Sequence, residues 1–303
     1  MAAILIGTSH GTDDPAGQAA VRALLDGVRA ARPELDVREA FVDVQQPEVG
    51  EVLAGAVRDA GAVGAGAASS DGGPAAVVVP LLLSTGYHVR HDIAQAVAAV
   101  NAAGAPGGSA PGGGAADRSA AGGADAVGAD AVAPDAAGGG RIAVAAEPLG
   151  PHPLLVEILA DRYAAAEAAH GPFRSDDAVV LAAAGSSVAA AATAVEEVTS
   201  ALAQRLGRAV TPSYGAGAEP RVPAAVAAAR AGVPGAPGAP GVPGAARVIV
   251  VSYLLAPGYF LDRVLEAGAD VVTDPVAGPA EADKADPRLV QVVLDRYDAA
   301  VSS

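Results

Sequence analysis

The sequence predicts an α/β protein of two similar lobes, each a parallel sheet covered by helices. Three observations carry this. Short β-branched apolar runs alternate with longer segments of helical period along the chain. The second half of the chain repeats the first. The composition supplies Val, Leu, Ile and Ala for a core and little else: 51% of the 303 residues are hydrophobic, yet only 3% are aromatic, with no Trp and one Met. Such material suits layered α/β packing better than a sandwich of large side chains.

Taken in order, the apolar runs of the first half are Ala3–Ile6, Val37–Val42, Ala75–Leu82 and Ile142–Ala145. Those of the second half are Ala178–Leu181, Ala209–Tyr214, Val248–Tyr253 and Asp270–Thr273. Runs this short and continuously apolar, with helices between them, belong to a parallel sheet buried on both faces. The first intervening segment, GQAAVRALLDGVRAARP, sets Val21, Leu24, Leu25 and Val28 on one stripe, with Arg22 and Arg29 off it. HPLLVEILADRYAAAEAAH and Ser187–Leu206 follow the same pattern. Ala62–Pro74, Ala102–Gly140 and Gly232–Gly244 are almost wholly small, Pro and Gly residues. They have little to bury and much entropy to lose, so mobile loops are expected, with compositional drift as their simplest origin.

The repeat is seen in paired segments. VVVPLLLSTGYHVRHDI answers VIVVSYLLAPGYFLDRVL, FVDVQQPEV answers YGAGAEPRV, and AEPLGPHPLLVEILADRY answers the stretch ending at Tyr297. A unit of about half the chain is too long for a solenoid. It reads as two copies of one domain: 1–172, with insertions at 62–74 and 102–140, and 173–303, with a Pro/Gly loop at 232–244.

A net charge of −15 disfavours a general nucleic-acid surface or a polybasic membrane surface. The absence of Cys removes disulfides, thiolate metal sites and a Cys nucleophile. No apolar run reaches the roughly 18 residues of a membrane span. Ala2–Ile6 is too short for a signal-peptide core and follows no basic residue. A soluble cytoplasmic protein with neither nucleic acid nor membrane as partner is expected.

Only five histidines occur, and two of them, His10 and His88, stand just past apparent strand ends. Asp43 ends a third strand, in FVDVQQP. Ligands of open α/β sheets bind beyond the carboxyl ends of strands, so the three residues share one edge. Two imidazoles and a carboxylate suit a borderline divalent metal such as Co²⁺, Fe²⁺, Ni²⁺ or Zn²⁺. Taken singly, a His at a strand end is more often structural. The repeat argues otherwise: His10 aligns with Ala184, Asp43 with Ala216 and His88 with Phe260, while Gly11, Gly86 and Tyr87 align with Gly185, Gly258 and Tyr259. Three polar positions lost together in one copy suggest one joint task in the other.

SHGT, FVDVQQP, PLLLSTGYHVRHDI and EPLGPHPLL resemble the sirohydrochlorin chelatases of the class II chelatase group. The resemblance covers the core of both halves and omits the three insertions. It implies a chelatase-like fold with the active cleft between the lobes, and ATP-independent insertion of Co²⁺ or Fe²⁺ into sirohydrochlorin, in cobalamin or siroheme synthesis. It implies His10 and His88 as metal-binding and proton-accepting residues, with Asp43 at an acidic position where many relatives carry Glu. No cofactor beyond the substrate metal is implied, and the missing Walker motif agrees. Two fused lobes in one chain suggest a monomer.

Sirohydrochlorin carries several carboxylates, and Arg90 and Ser9 are the candidates for holding them. Each also has a structural reading: Arg90 as an exposed first-turn residue, and Ser9, with Thr12, as a cap of the first helix. His91 reads as a solvated helix residue or an auxiliary ligand. His152 reads as a helix cap, and His170 as a helix-end residue facing the negative pole. A non-catalytic metal or tetrapyrrole carrier of the same fold is the alternative function. A nucleotide-binding enzyme ranks lower, because GTSHGTDD lacks the glycine fingerprint.

Overall fold

The computed structural model describes residues 2–63, 73–84, 86–103, 142–232, 244–278 and 284–303, without the side chains of 62, 63 and 87–89. All eight apolar runs form strands: β1 (Ile4–Ser9), β2 (Val37–Phe41), β3 (Ala76–Pro80), β4 (Ala143–Ala145), β5 (Ala178–Ala183), β6 (Val210–Tyr214), β7 (Val248–Tyr253) and β8 (Val271–Val272). Between and after them lie α1 (Pro15–Ala31), α2 (Val49–Val63), α3 (Tyr87–Ala103), α4 (Pro153–His170), α5 (Ala189–Leu206), α6 (Val222–Ala231), α7 (Tyr259–Leu265) and α8 (Pro287–Val301). Two of the expected loops begin later than the composition suggests, because α2 runs to Val63 and α3 to Ala103. Residues 64–72, 104–140 and 233–243 of these stretches lie outside the described residues.

Two parallel sheets result, ordered β2-β1-β3-β4 and β6-β5-β7-β8. Every residue of β1, β3 and β7 is buried, as apolar strands covered on both faces require. In each sheet the order reverses beside the first strand, between β1 and β3 and again between β5 and β7. Such a reversal opens a crevice at the carboxyl ends, because the flanking connections leave in opposite directions.

Outer helices cover one face of each sheet. Ile4, Ile6 and Val78 pack with Leu53 and Ala56 of α2 and Ile93 of α3. Val180 and Val250 pack with Val222 and Val226 of α6 and Val264 of α7. The inner faces share one continuous core, in which Leu5, Val77, Val179 and Ile249 join Leu24, Leu25, Ile158, Leu159, Val198, Leu289 and Val293. The last helix of each half crosses over: α8 packs on α1, β3 and β4, while α4 packs on α5, β7 and β8. Tyr297 Oη donates to the Ala3 carbonyl at 2.6 Å, just ahead of β1, and Arg32 at the end of α1 reaches Asp298 at 2.6 Å, fixing α8 to the first lobe. Arg205 and Glu157, 3.0 Å apart, tie α5 to α4. The layers therefore run helices, sheet, four inner helices, sheet, helices.

Helix starts follow the sequence. Asp14 caps α1 by accepting from Ala16 N at 2.8 Å, and Asp286 caps α8 by accepting from Arg288 N at 2.9 Å. His152 Nδ1 accepts from Leu154 N at 3.2 Å ahead of Pro153, the capping role expected for it. Burial and the nearby Arg296 cation lower its pKa, which keeps Nδ1 free to accept. His170 is the last residue of α4, as expected.

Candidate functional site

His10 is the first residue beyond β1 and is exposed. The frame under it is tight. Leu81 N donates to the Thr8 carbonyl at 2.8 Å, Val42 N to Ser9 at 3.0 Å and Asp43 N to His10 at 3.2 Å. The chain then turns at Gly11 with φ +91°, where a Cβ would lie 3.1 Å from Gln45 N. Only glycine takes that conformation without strain in so close a space. The backbones of His10 and Asp43 thus adjoin, and both side chains are exposed.

His88 is the second residue of α3, whose first turn closes through Arg90 N to the Gly86 carbonyl at 3.2 Å. Its side chain lies outside the described residues. Its strand, β3, pairs with β1 through Thr8 and Pro80. His10 and His88 therefore follow the two strands that border the crevice, and Asp43 follows the next strand out. Among the described residues no group of three or more His, Cys, Asp or Glu gathers as a metal site. The described side chains thus bring His10 and Asp43 to one edge without a complete ligand set.

Arg90 is exposed in the first turn of α3. Ser9 is 7% exposed, and helix capping falls to Asp14, not to Ser9. Thr12 supports that cap, its Oγ1 accepting from Asp14 N at 3.1 Å. His91 Nε2 lies 2.7 Å from Gln95 Nε2, one turn along α3. Three residues escaped the sequence reading. Thr8 Oγ1 is buried without a hydrogen-bond partner beneath the site. Gln45 Oε1 accepts from Thr12 N at 3.0 Å, and Gln18 Nε2 donates to the Thr12 carbonyl at 2.8 Å. The signal available for the glutamines was again the repeat, which has Ala218 and Ala192 in their places.

The second lobe reproduces the frame without the chemistry. Gly215 N donates to Ala183 O and Ala216 N to Ala184 O, both at 2.8 Å, and Gly185 takes φ +85°. Ala184 and Ala216 therefore occupy the places of His10 and Asp43. Phe260, second residue of α7 as His88 is of α3, lies against Gly215: a Cβ there would be 2.8 Å from the Phe260 ring and 3.1 Å from the Ala184 carbonyl. Tyr259 is 67% exposed and Phe260 37%, their rings 5.5 Å apart. Arg263 stands 5.3 Å over the Tyr259 ring.

The two carboxyl edges meet at one seam. A Cβ on Gly17, near the start of α1, would be 2.5 Å from the Pro257 carbonyl, and one on Gly258 would be 3.2 Å from Thr12 Oγ1. Tyr253 at the end of β7 donates to the Leu83 carbonyl beyond β3 at 3.0 Å. Burial raises the pKa of that hydroxyl, so it stays a donor. A cavity of about 380 Å³ lies at the opposite edge, lined by His170, Arg174, Asp177 and Arg247. Its chief charges pair with each other, Arg247 with Asp177 at 2.7 Å, so it serves the structure there.

Comparison with known proteins agrees with this fold. No curated protein sequence matches the chain. Solved structures share the fold, three of them as follows. SirB from Bacillus subtilis with Fe³⁺ has a TM-score of 0.65 at 16% identity, covering 100% of this chain and 96% of that one. The sirohydrochlorin chelatase SirB from Bacillus subtilis subspecies spizizenii, in complex with cobalt, gives 0.62 at 16% identity, with coverage of 100% and 96%. CbiX, described as the terminal enzyme for siroheme biosynthesis in denitrifying bacteria, gives 0.52 at 18% identity, covering 96% and 98%. The sequence model of CbiX matches residues 4–166, which hold His10, Asp43 and His88. That match spans more than half of the chain, and the chain belongs to the CbiX family of sirohydrochlorin chelatases.

Proposed function

We propose that the protein inserts Co²⁺ or Fe²⁺ into sirohydrochlorin without ATP, working in the cytoplasm as a monomer of two fused lobes. The observation that carries this reading is the asymmetry of the two carboxyl edges. One frame, built twice, holds His10 and Asp43 in the lobe that the family match covers, and Ala184 and Ala216 in the other.

Insertion of M²⁺ exchanges the metal for two pyrrole N–H protons, so the site must give up a metal and take up protons. A neutral imidazole does either, being a good ligand for borderline metals and a proton acceptor near neutral pH. His10 and His88 are assigned these tasks. Asp43 offsets the metal's charge and lets it approach His10. A few ligands with open positions suit a metal that must leave; a closed four-ligand site would retain it. Iron and cobalt are both accepted by such a set, and the two SirB structures carry one Fe³⁺ and the other cobalt. The exposed Tyr259 and Phe260 give the macrocycle an apolar wall from the second lobe, while Arg90 and Arg263 are cations for its carboxylates. Ser9 is too buried to share that task.

Absorbance of sirohydrochlorin with Co²⁺ or Fe²⁺ tests the proposal. Catalytic turnover well above the spontaneous rate is expected. Stoichiometric binding with no acceleration would make the protein a carrier instead.

A further inference from the structure

We propose that Gln45 and Gln18 are positioning residues that hold the β1–α1 loop so that His10 keeps its working geometry, an inference that rests on the chemistry proposed for His10. Thr12 lies two residues beyond His10, across the Gly11 turn. Both its backbone groups are tethered, the N–H to Gln45 Oε1 at 3.0 Å and the carbonyl to Gln18 Nε2 at 2.8 Å. A peptide N–H only donates and a carbonyl only accepts, which fixes both amide orientations: Gln45 is the acceptor and Gln18 the donor. Gln45 sits two residues past Asp43, so one side chain spans the loops that carry His10 and Asp43.

The second lobe is an internal control. It keeps the backbone frame, and it keeps the turn, with Ser186 Oγ accepting from Val188 N at 3.1 Å where Thr12 Oγ1 accepts from Asp14 N. The tethers are gone, replaced by Ala218 and Ala192. Its loops instead pack backbone to backbone. Gly217, at φ +69°, lies so close to Ser186 and Ser187 that a Cβ would fall 2.6 Å from Ser187 N. Val44 takes that place in the first lobe and is 48% exposed. The two lobes thus close the same loops in two ways, by direct backbone contact in the second and by the amide tethers in the first. The glutamine bridge occurs only where the histidine does.

Donor and acceptor roles give a test by isosteres. Gln45→Glu keeps an acceptor facing Thr12 N–H, whereas Gln18→Glu sets a carboxylate against the Thr12 carbonyl. Hydrogen exchange of the Thr12 amide and the His10 imidazole NMR signals should stay at wild type in Gln45→Glu and move in Gln18→Glu and Gln45→Leu. Co²⁺ insertion should follow, with kcat near wild type in the first and about 10- to 100-fold lower in the others, the usual cost of losing an orienting partner. KM for the tetrapyrrole should not change. Equal losses in the two Glu variants, or Gln45→Leu with unaltered Thr12 exchange and His10 signals, would overturn the proposal. The Glu pair decides even where Gln45→Leu does not fold. A wild-type protein without insertion activity would remove the function proposed for His10, while the NMR comparison would still decide the tether.

Discussion

Two residues on equivalent frames, His10 and Ala184, make the protein its own control at the residue scale. Replacing His10 by Ala copies the second lobe's solution into the first. The Ala184–Ala216 frame shows that this backbone stands without the imidazole, so His10→Ala should keep the melting temperature while losing most metal insertion, read by circular dichroism and absorbance. Phe260→Leu should leave kcat nearly unchanged, because its lobe has no metal ligands at the matching positions; any effect belongs in the KM for the tetrapyrrole. A well-folded Phe260→Leu protein without turnover would show that the second lobe shares the chemistry. The sequence singles out His10, Asp43 and His88 because the repeat lacks them as a set. Gln45 and Gln18 carry the same repeat signal, Ala218 and Ala192 standing opposite them, but their bonds to the Thr12 backbone, 33 and 6 residues away, follow no spacing rule that would name the partner. Ser9 was misread as a possible cap because position before a helix suggests capping, whereas Asp14 supplies the oxygen.

At the scale of elements, the strands were legible almost to the residue. Fully buried parallel strands need continuous apolar runs, and few other arrangements tolerate them. β8, an edge strand, is shorter than its apolar run and pairs with β7 only through Val271 and Val272. The Asp177 clamp was not legible, as it joins residues 70 apart. Its carboxylate is buried, which works against the charge, but Arg247 at 2.7 Å and Arg174 N at 2.7 Å hold its pKa below the ordinary value. A depressed carboxylate pKa stabilises the fold above the unfolded value, and the gain is lost as pH falls through the folded value. Asp177→Asn should therefore cost about 2–3 kcal/mol near neutral pH. In urea titrations the gap from wild type should begin to narrow below about pH 4 and go on narrowing as pH falls further; a gap independent of pH would mean that packing, not charge, holds the clamp.

Across the whole molecule, the exchange of α4 and α8 makes the two halves dependent on each other. Each sheet's inner face is finished by the other half's last helix, and all four inner helices share one core. The repeat foretold two lobes but could not show this exchange, because a helix stripe records that a face is buried and not against which sheet. Ending the chain before Pro287 should expose Leu5, Val77 and Val79 and unfold the first lobe with the site, although every site residue lies elsewhere in the sequence. Loss of soluble, cooperatively folding protein is the expected result; a stable truncated protein would contradict the packing. Among the described residues no helix is long and apolar enough to cross a membrane.

The central claim is that His10 acts in metal insertion, within a frame that does not need it for folding. Single-turnover insertion of Co²⁺ into sirohydrochlorin, followed by absorbance with wild-type and His10→Ala proteins of equal melting temperature, tests it most directly. The account predicts a wild-type rate far above the spontaneous one and a His10→Ala rate close to spontaneous. Equal rates in the two proteins would contradict it.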